Sequence, residues 1–188
     1  MPKISKRFVI TAPASAVWQV IGPGYASIGE WATAIPASTG LPHEPPTPAD
    51  QALLRRHTEP DLDAAPVTGR VCSTGLAIVP EVTETLIAYN DANRSLAYEA
   101  AGMPSFVTTA RNTWTVTPLS NDTCVVTLDA QLDSRGIIGT LARWVMLAQL
   151  GRTSQHLGDD LRHFVENGRP SPRKQRQLLR AGRHNRPT

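Results

Sequence analysis

One carboxylate set among apolar neighbours opens the chemistry of this chain. Glu84 stands between Val82 and Leu86 in a segment that alternates with period two, so it shares their dry face while Thr83 and Thr85 face water. A carboxylate in that setting loses hydration, which raises its pKa and equips it as a general acid or base in an apolar cavity. The alternative for the same residue is a structural ion pair with Arg70 or Arg111. Tyr98 and Asn112 fall on the same face of the next two strands. Each can donate a hydrogen bond to a carbonyl or enolate oxygen, or simply satisfy a buried neighbour. Glu84, Tyr98 and Asn112 are therefore the candidate catalytic residues.

Flat apolar surfaces accompany them. Trp31 and Trp114 offer faces for an aromatic or fused-ring ligand, core packing being the other reading, and Tyr25, between glycines and ahead of Trp31, is placed at an entrance. Other chemistries find no support in the spacing. His43, His57, His156, His163 and His184 are scattered, with no HExxH and no Cys/His ligand pattern, so no metal site is expected. Neither a GxGxxG nor a GxxxxGK[ST] run occurs, so no cofactor is expected, and there is no GxSxG nucleophile elbow. Cys72 and Cys124 read as two buried thiols in a reducing compartment.

These side chains need elements to hold them. From Ser134 to Gly168, Met146, Leu150, Leu157, Leu161 and Phe164 recur at spacings of three, four and seven, the stripe of an amphipathic helix. Asp133 or Ser134 caps its start, and Gly168 followed by Pro170 ends it. At about 1.5 Å per residue such a helix runs to roughly 50 Å, with Gly136, Gly139, Gly151 and Gly158 as places to bend or split. Met146 and Leu150 point from it toward any ligand. Upstream, a strand at 4–11 leads through Pro13 into a short helix carrying Val17, Trp18, Val20 and Ile21, and a second short helix covers 28–34. A proline-rich insertion follows at about 41–66. Five strands come next, at 68–75, 81–89, 94–101, 106–117 and 123–132, with connections short enough to make neighbours antiparallel. The resulting expectation is an α+β domain over 1–168, its curved antiparallel sheet wrapped around the long C-terminal helix with a hydrophobic cavity between them.

Composition agrees with one folded domain: 188 residues, 40% hydrophobic and 19% charged. The net charge of +3 is uneven, because residues 169–188 hold seven basic side chains and no acid, which leaves the remainder near −4. The body thus carries no basic surface for nucleic acid, and 169–188 reads as a disordered, solvated tail or an arm for an anionic partner. Met1 to Arg7 is followed by no apolar leader, and no run reaches the ~18 apolar residues of a membrane span. The expected protein is cytoplasmic, without stable membrane insertion, and a monomer or homodimer.

The chain resembles the START-like (SRPBCC, helix-grip) superfamily, in particular its polyketide cyclase/dehydrase and lipid-transport branch, across residues 4–167. The resemblance is carried by Ile10-Thr11-Ala12-Pro13-Ala14, Val17-Trp18 with Val20-Ile21, and Trp31. It continues in Glu84, Leu86, Tyr89-Asn90, Arg94-Ser95-Leu96-Ala97-Tyr98 and Trp114-Thr115-Val116-Thr117-Pro118. It implies a helix-grip fold around a hydrophobic cavity that takes up a lipid or polyketide-like small molecule. It also implies, as the alternative, a cofactor-free cyclase/dehydratase in which Glu84 moves protons on a poly-ketone. Many cyclase-like relatives carry an arginine three residues after the glycine that opens the strand following the insertion; this chain has Cys72 there. Arg70, two positions away and on the same face, is the candidate substitute at the ligand.

Overall fold

The computed structural model describes residues 3–43, 62–77 and 79–184, with side chains for all of these except 63, 137–147 and 183–184. Strand β1 (Lys3–Ile10) turns Phe8 and Ile10 inward and leads through Pro13 into helix α1 (Ala14–Ile21). Pro13 sits at φ −57°, and its carbonyl accepts from the N–H groups of Ala16 and Val17, so its fixed torsion serves as the helix start. A 3-10 turn at Tyr25–Ser27 runs into the one-turn helix α2 (Ile28–Trp31). Strand β2 (Ser38–Leu41) follows. It is absent from the sequence reading because Pro36, Gly40 and Pro42 interrupt any period, and it exists as an edge strand on β3 (Gly69–Ser73). Most of the proline-rich insertion lies outside the described residues.

The remaining strands fall within one or two residues of their expected bounds: β4 (Glu81–Asn90), β5 (Ser95–Ala101), β6 (Val107–Pro118) and β7 (Cys124–Ser134). They pair antiparallel in the order β1-β7-β6-β5-β4-β3-β2, a seven-stranded sheet. Cys124, Val126, Leu128, Ala130 and Leu132 are all buried, as the alternation of β7 requires. In β6 the dry face departs from expectation at Thr108, which is exposed, because a bulge between Val107 and Thr109 shifts the phase.

Helix α3 (Gly136–Asn167) lies against the curved sheet and is continuous; its glycines neither split it nor end it early. Gly158 has a packing role: a Cβ there would stand 2.2 Å from the Phe8 ring, so the missing side chain lets β1 and α3 approach closely. The helix stops at Gly168, whose φ of 64° is the left-handed cap expected of it. At the other end, Arg135 occupies the N-cap position with no side-chain cap bond, so neither Asp133 nor Ser134 takes the expected capping place. Among the described residues no helix is long and apolar enough to cross a membrane.

The basic segment corrects the expectation of a disordered tail. Residues Pro172–His184 form helix α4, anchored by Lys174, which is fully buried and donates to the carbonyls of Ile35 (2.7 Å) and Pro36 (3.2 Å). The link to α3 is equally direct. Ser171 Oγ donates to Asp160 Oδ1 at 2.8 Å, while Asp160 Oδ2 accepts from the Thr33 backbone N–H at 2.7 Å. Buried polar groups with partners on three segments hold the helix down.

Candidate functional site

Strand register brings the charged pair together. Arg70 on β3 lies directly opposite Glu84 on β4, both on the inner face. Arg70 Nε and Nη2 each stand 2.6 Å from Glu84 Oε2, and Nη1 donates to the Tyr25 carbonyl at 2.5 Å. The guanidinium carbon is 3.9 Å from the Tyr25 ring centroid and 5.3 Å from that of Tyr98, so its flat faces are covered by aromatic rings. Arg70 is 3% exposed and Glu84 7%. Burial opposes the Arg70 charge, but Glu84, with Tyr25, Tyr98 and Cys72, outweighs it and holds the guanidinium above its usual range. Of the two partners open to Glu84 in the sequence, Arg70 is the one found. Arg111 instead pairs with Glu99 at 2.6 Å on the exposed face, where such a pair contributes little.

Beside this pair a cavity of about 560 Å³ opens between sheet and α3. Glu84, Tyr98 and Asn112 all line it, as does Leu150 from the helix. Tyr98 and Asn112 are cross-strand neighbours on β5 and β6, which fixes their shared placement. Burial, foremost, and the neighbouring Glu84 raise the pKa of the Tyr98 hydroxyl, so it stays protonated. Met146 lies on α3 with its side chain outside the described residues.

The other expected ligand contacts sit elsewhere. Tyr25, Trp31, Arg70 and Trp114 surround a separate void of about 10 Å³ behind the cavity wall. Tyr25 is not at an entrance: it is buried over Arg70, and its hydroxyl pKa is pushed up by burial. Among the described residues neither Tyr25 Oη nor Trp31 Nε1, both buried, has a hydrogen-bond partner. Cys72 lines the large cavity where Arg70 does not, and its thiol is pushed up to about 12 by burial and then by Glu84. A thiol held that high is protonated and a poor nucleophile at neutral pH.

Two further lining residues escaped the sequence reading. Gln177 reaches the cavity from α4, with its Nε2 donating to the Thr33 carbonyl at 3.4 Å, so the basic segment closes one side of the site. Ser154 lines it from α3. Its signal was present as a gap, since the apolar stripe steps from Leu150 to Leu157 and skips the intervening inward position.

Residues 1–162 match the family model described as polyketide cyclase / dehydrase and lipid transport. The chain belongs to this family. No curated protein matches it. Among solved structures it is similar to a START superfamily protein from Mycobacterium smegmatis, at 13% identity and a TM-score of 0.61, covering 87% of this chain and 97% of that one. The Zhui aromatase/cyclase from Streptomyces sp. R1128 is 15% identical, with a TM-score of 0.61 over 88% of this chain and 93% of that one. The di-domain ARO/CYC BexL from the BE-7585A biosynthetic pathway is 18% identical, with a TM-score of 0.63 over 88% of this chain and 47% of that one. At such identities these likenesses establish the fold. The polyketide cyclase / dehydrase and lipid transport match ends at residue 162, so α4 and its Gln177 lie beyond the matched part.

Proposed function

We propose that this protein binds a hydrophobic small molecule, lipid-like or polyketide-like, in the cavity between the sheet and α3. The observation that carries the reading is the cavity itself. Its volume of about 560 Å³ falls within the range of small-molecule sites, and apolar side chains such as Ile28, Val82, Met103, Leu128, Leu132 and Leu157 supply most of its wall. Filling it with an apolar ligand removes that wall from water at about 25 cal/mol per Å². Membership of a family whose description includes lipid transport supports the same reading.

A second reading, a cofactor-free cyclase or dehydratase acting on a poly-ketone, is favoured by Glu84, Tyr98 and Asn112 meeting at one cavity. Against it, Glu84 Oε2 is already engaged twice by Arg70, which suits a structural ion pair better than a free proton carrier. Binding is required by both readings and sufficient for the first.

Native mass spectrometry of the recombinant protein tests them together. The binding reading expects a co-purified mass of a few hundred daltons, on the order of a ligand that fits the cavity, released on denaturation and retained by Glu84→Gln once a thermal melt shows that variant to be folded. Wild-type turnover of a poly-ketone that is abolished in Glu84→Gln with retention unchanged would move the conclusion to the enzyme. A protein that carries nothing and takes up no apolar compound would end both.

A further inference from the structure

Along α3 the inward positions are Leu150, Ser154, Leu157 and Leu161, a run of four, three and four residues in which one member is a serine. Ser154 is 3% exposed, as deeply set as its leucine neighbours, and it lines the cavity. Across the cavity on β6, Asn112 lines the opposite wall, between the inward Ala110 and Trp114. Of the other polar groups there, Glu84 is committed to Arg70, while Gln131 on β7 also lines the wall, and Thr33 Oγ1 and Gln177 Oε1 at the rim are buried without a partner among the described residues. No hydrogen bond among the described residues engages the side chain of either Ser154 or Asn112.

A hydroxyl in the core seam of a helix is a cost to folding unless something pairs with it. Leucine at 154 would complete the stripe, and nothing in the packing of α3 against β1 calls for a hydroxyl there. We infer that Ser154, with Asn112 facing it, is a specificity-determining pair that selects an apolar ligand bearing a carbonyl or hydroxyl oxygen over a plain hydrocarbon. Both side chains carry a donor, Ser154 through its O–H and Asn112 through its amide N–H groups, so a ligand oxygen is the complementary group. An oxygen-free ligand of the same shape leaves both polar groups dry and unpaired, and sites built to pair a polar substrate group reject analogues that lack it. This inference rests on the ligand-binding reading above and adds to it the chemistry of what is bound.

A matched pair of rigid tricyclic probes tests it: 9-fluorenone, which carries one ketone oxygen, and fluorene, which carries none. Dissociation constants are measured for both with wild type, Ser154→Ala and Ser154→Thr, with thermal melts to show that each variant is folded. The expected result is that Ser154→Ala weakens fluorenone about tenfold relative to fluorene, while Ser154→Thr, which keeps the hydroxyl, preserves the wild-type ratio. A ratio unchanged in Ser154→Ala, or both probes weakened equally, overturns the inference and leaves the binding reading standing. Failure of wild type to bind either probe overturns the binding reading, and the inference with it.

Discussion

Removing either member of the Arg70–Glu84 pair leaves the other charge buried without compensation, which costs about 3–5 kcal/mol. Arg70→Met and Glu84→Leu are each expected to lower stability by that order in urea denaturation. The double variant should be more stable than either single, because replacing a buried pair by apolar side chains removes the desolvation penalty along with the attraction. A double variant as unstable as the two losses summed would show that the side chains act through packing and not as a pair. The inward placement of Glu84 was legible because period-two alternation assigns a face before any partner is known. Its choice of Arg70 over Arg111 was not, since that depends on β3–β4 register across a connection whose residues show no period. Tyr25 was misplaced for a related reason. It sits in a turn between glycines, where nothing local distinguishes an entrance from the roof over a buried guanidinium.

Among the elements, the strands and α3 were readable because each presents a long, regular stripe, and α4 was not because its composition imitates a solvated tail. Seven basic residues without an acid over 169–188 fit disorder, yet Lys174, Gln177 and Ala181 recur at spacings of three and four, and the first two face the body of the protein. Docking of α4 should depend on pH through Lys174. Burial depresses its pKa from an ordinary 10.5 to about 8, against the opposing pull of Asp160, and the backbone carbonyls of Ile35 and Pro36 face the ammonium. The docked state therefore binds fewer protons than the undocked state between about pH 8 and 10.5, so docking tightens as pH rises through that window and is level below it. Trypsin cleavage at Arg173 and Arg176, normalised to a free peptide of residues 169–188, should be slower at pH 9 than at pH 7.5. Equal or faster normalised cleavage at pH 9 would contradict this account of the anchor.

For the whole molecule, the architecture follows from burying two apolar faces at once, the inner face of a seven-stranded sheet and the stripe of α3. The family body accounts for residues 1–162, and α4 adds a further wall that places Gln177 at the cavity. The existence of a hollow was legible from the fold class, whereas its boundaries were not, because Trp31 and Trp114 pack behind the wall and Gln177 arrives from a segment read as tail. The proposed binding puts apolar ligands in this hollow and not on the surface. Fluorescence titration with the uncharged dye N-phenyl-1-naphthylamine tests it most directly, comparing wild type with Ala110→Trp, which fills the cavity from β6. Saturable binding at one dye per chain, lost or weakened at least ~10-fold (about 1.4 kcal/mol) in folded Ala110→Trp, is the predicted result. Equal binding by the filled variant, or none by wild type, would contradict it.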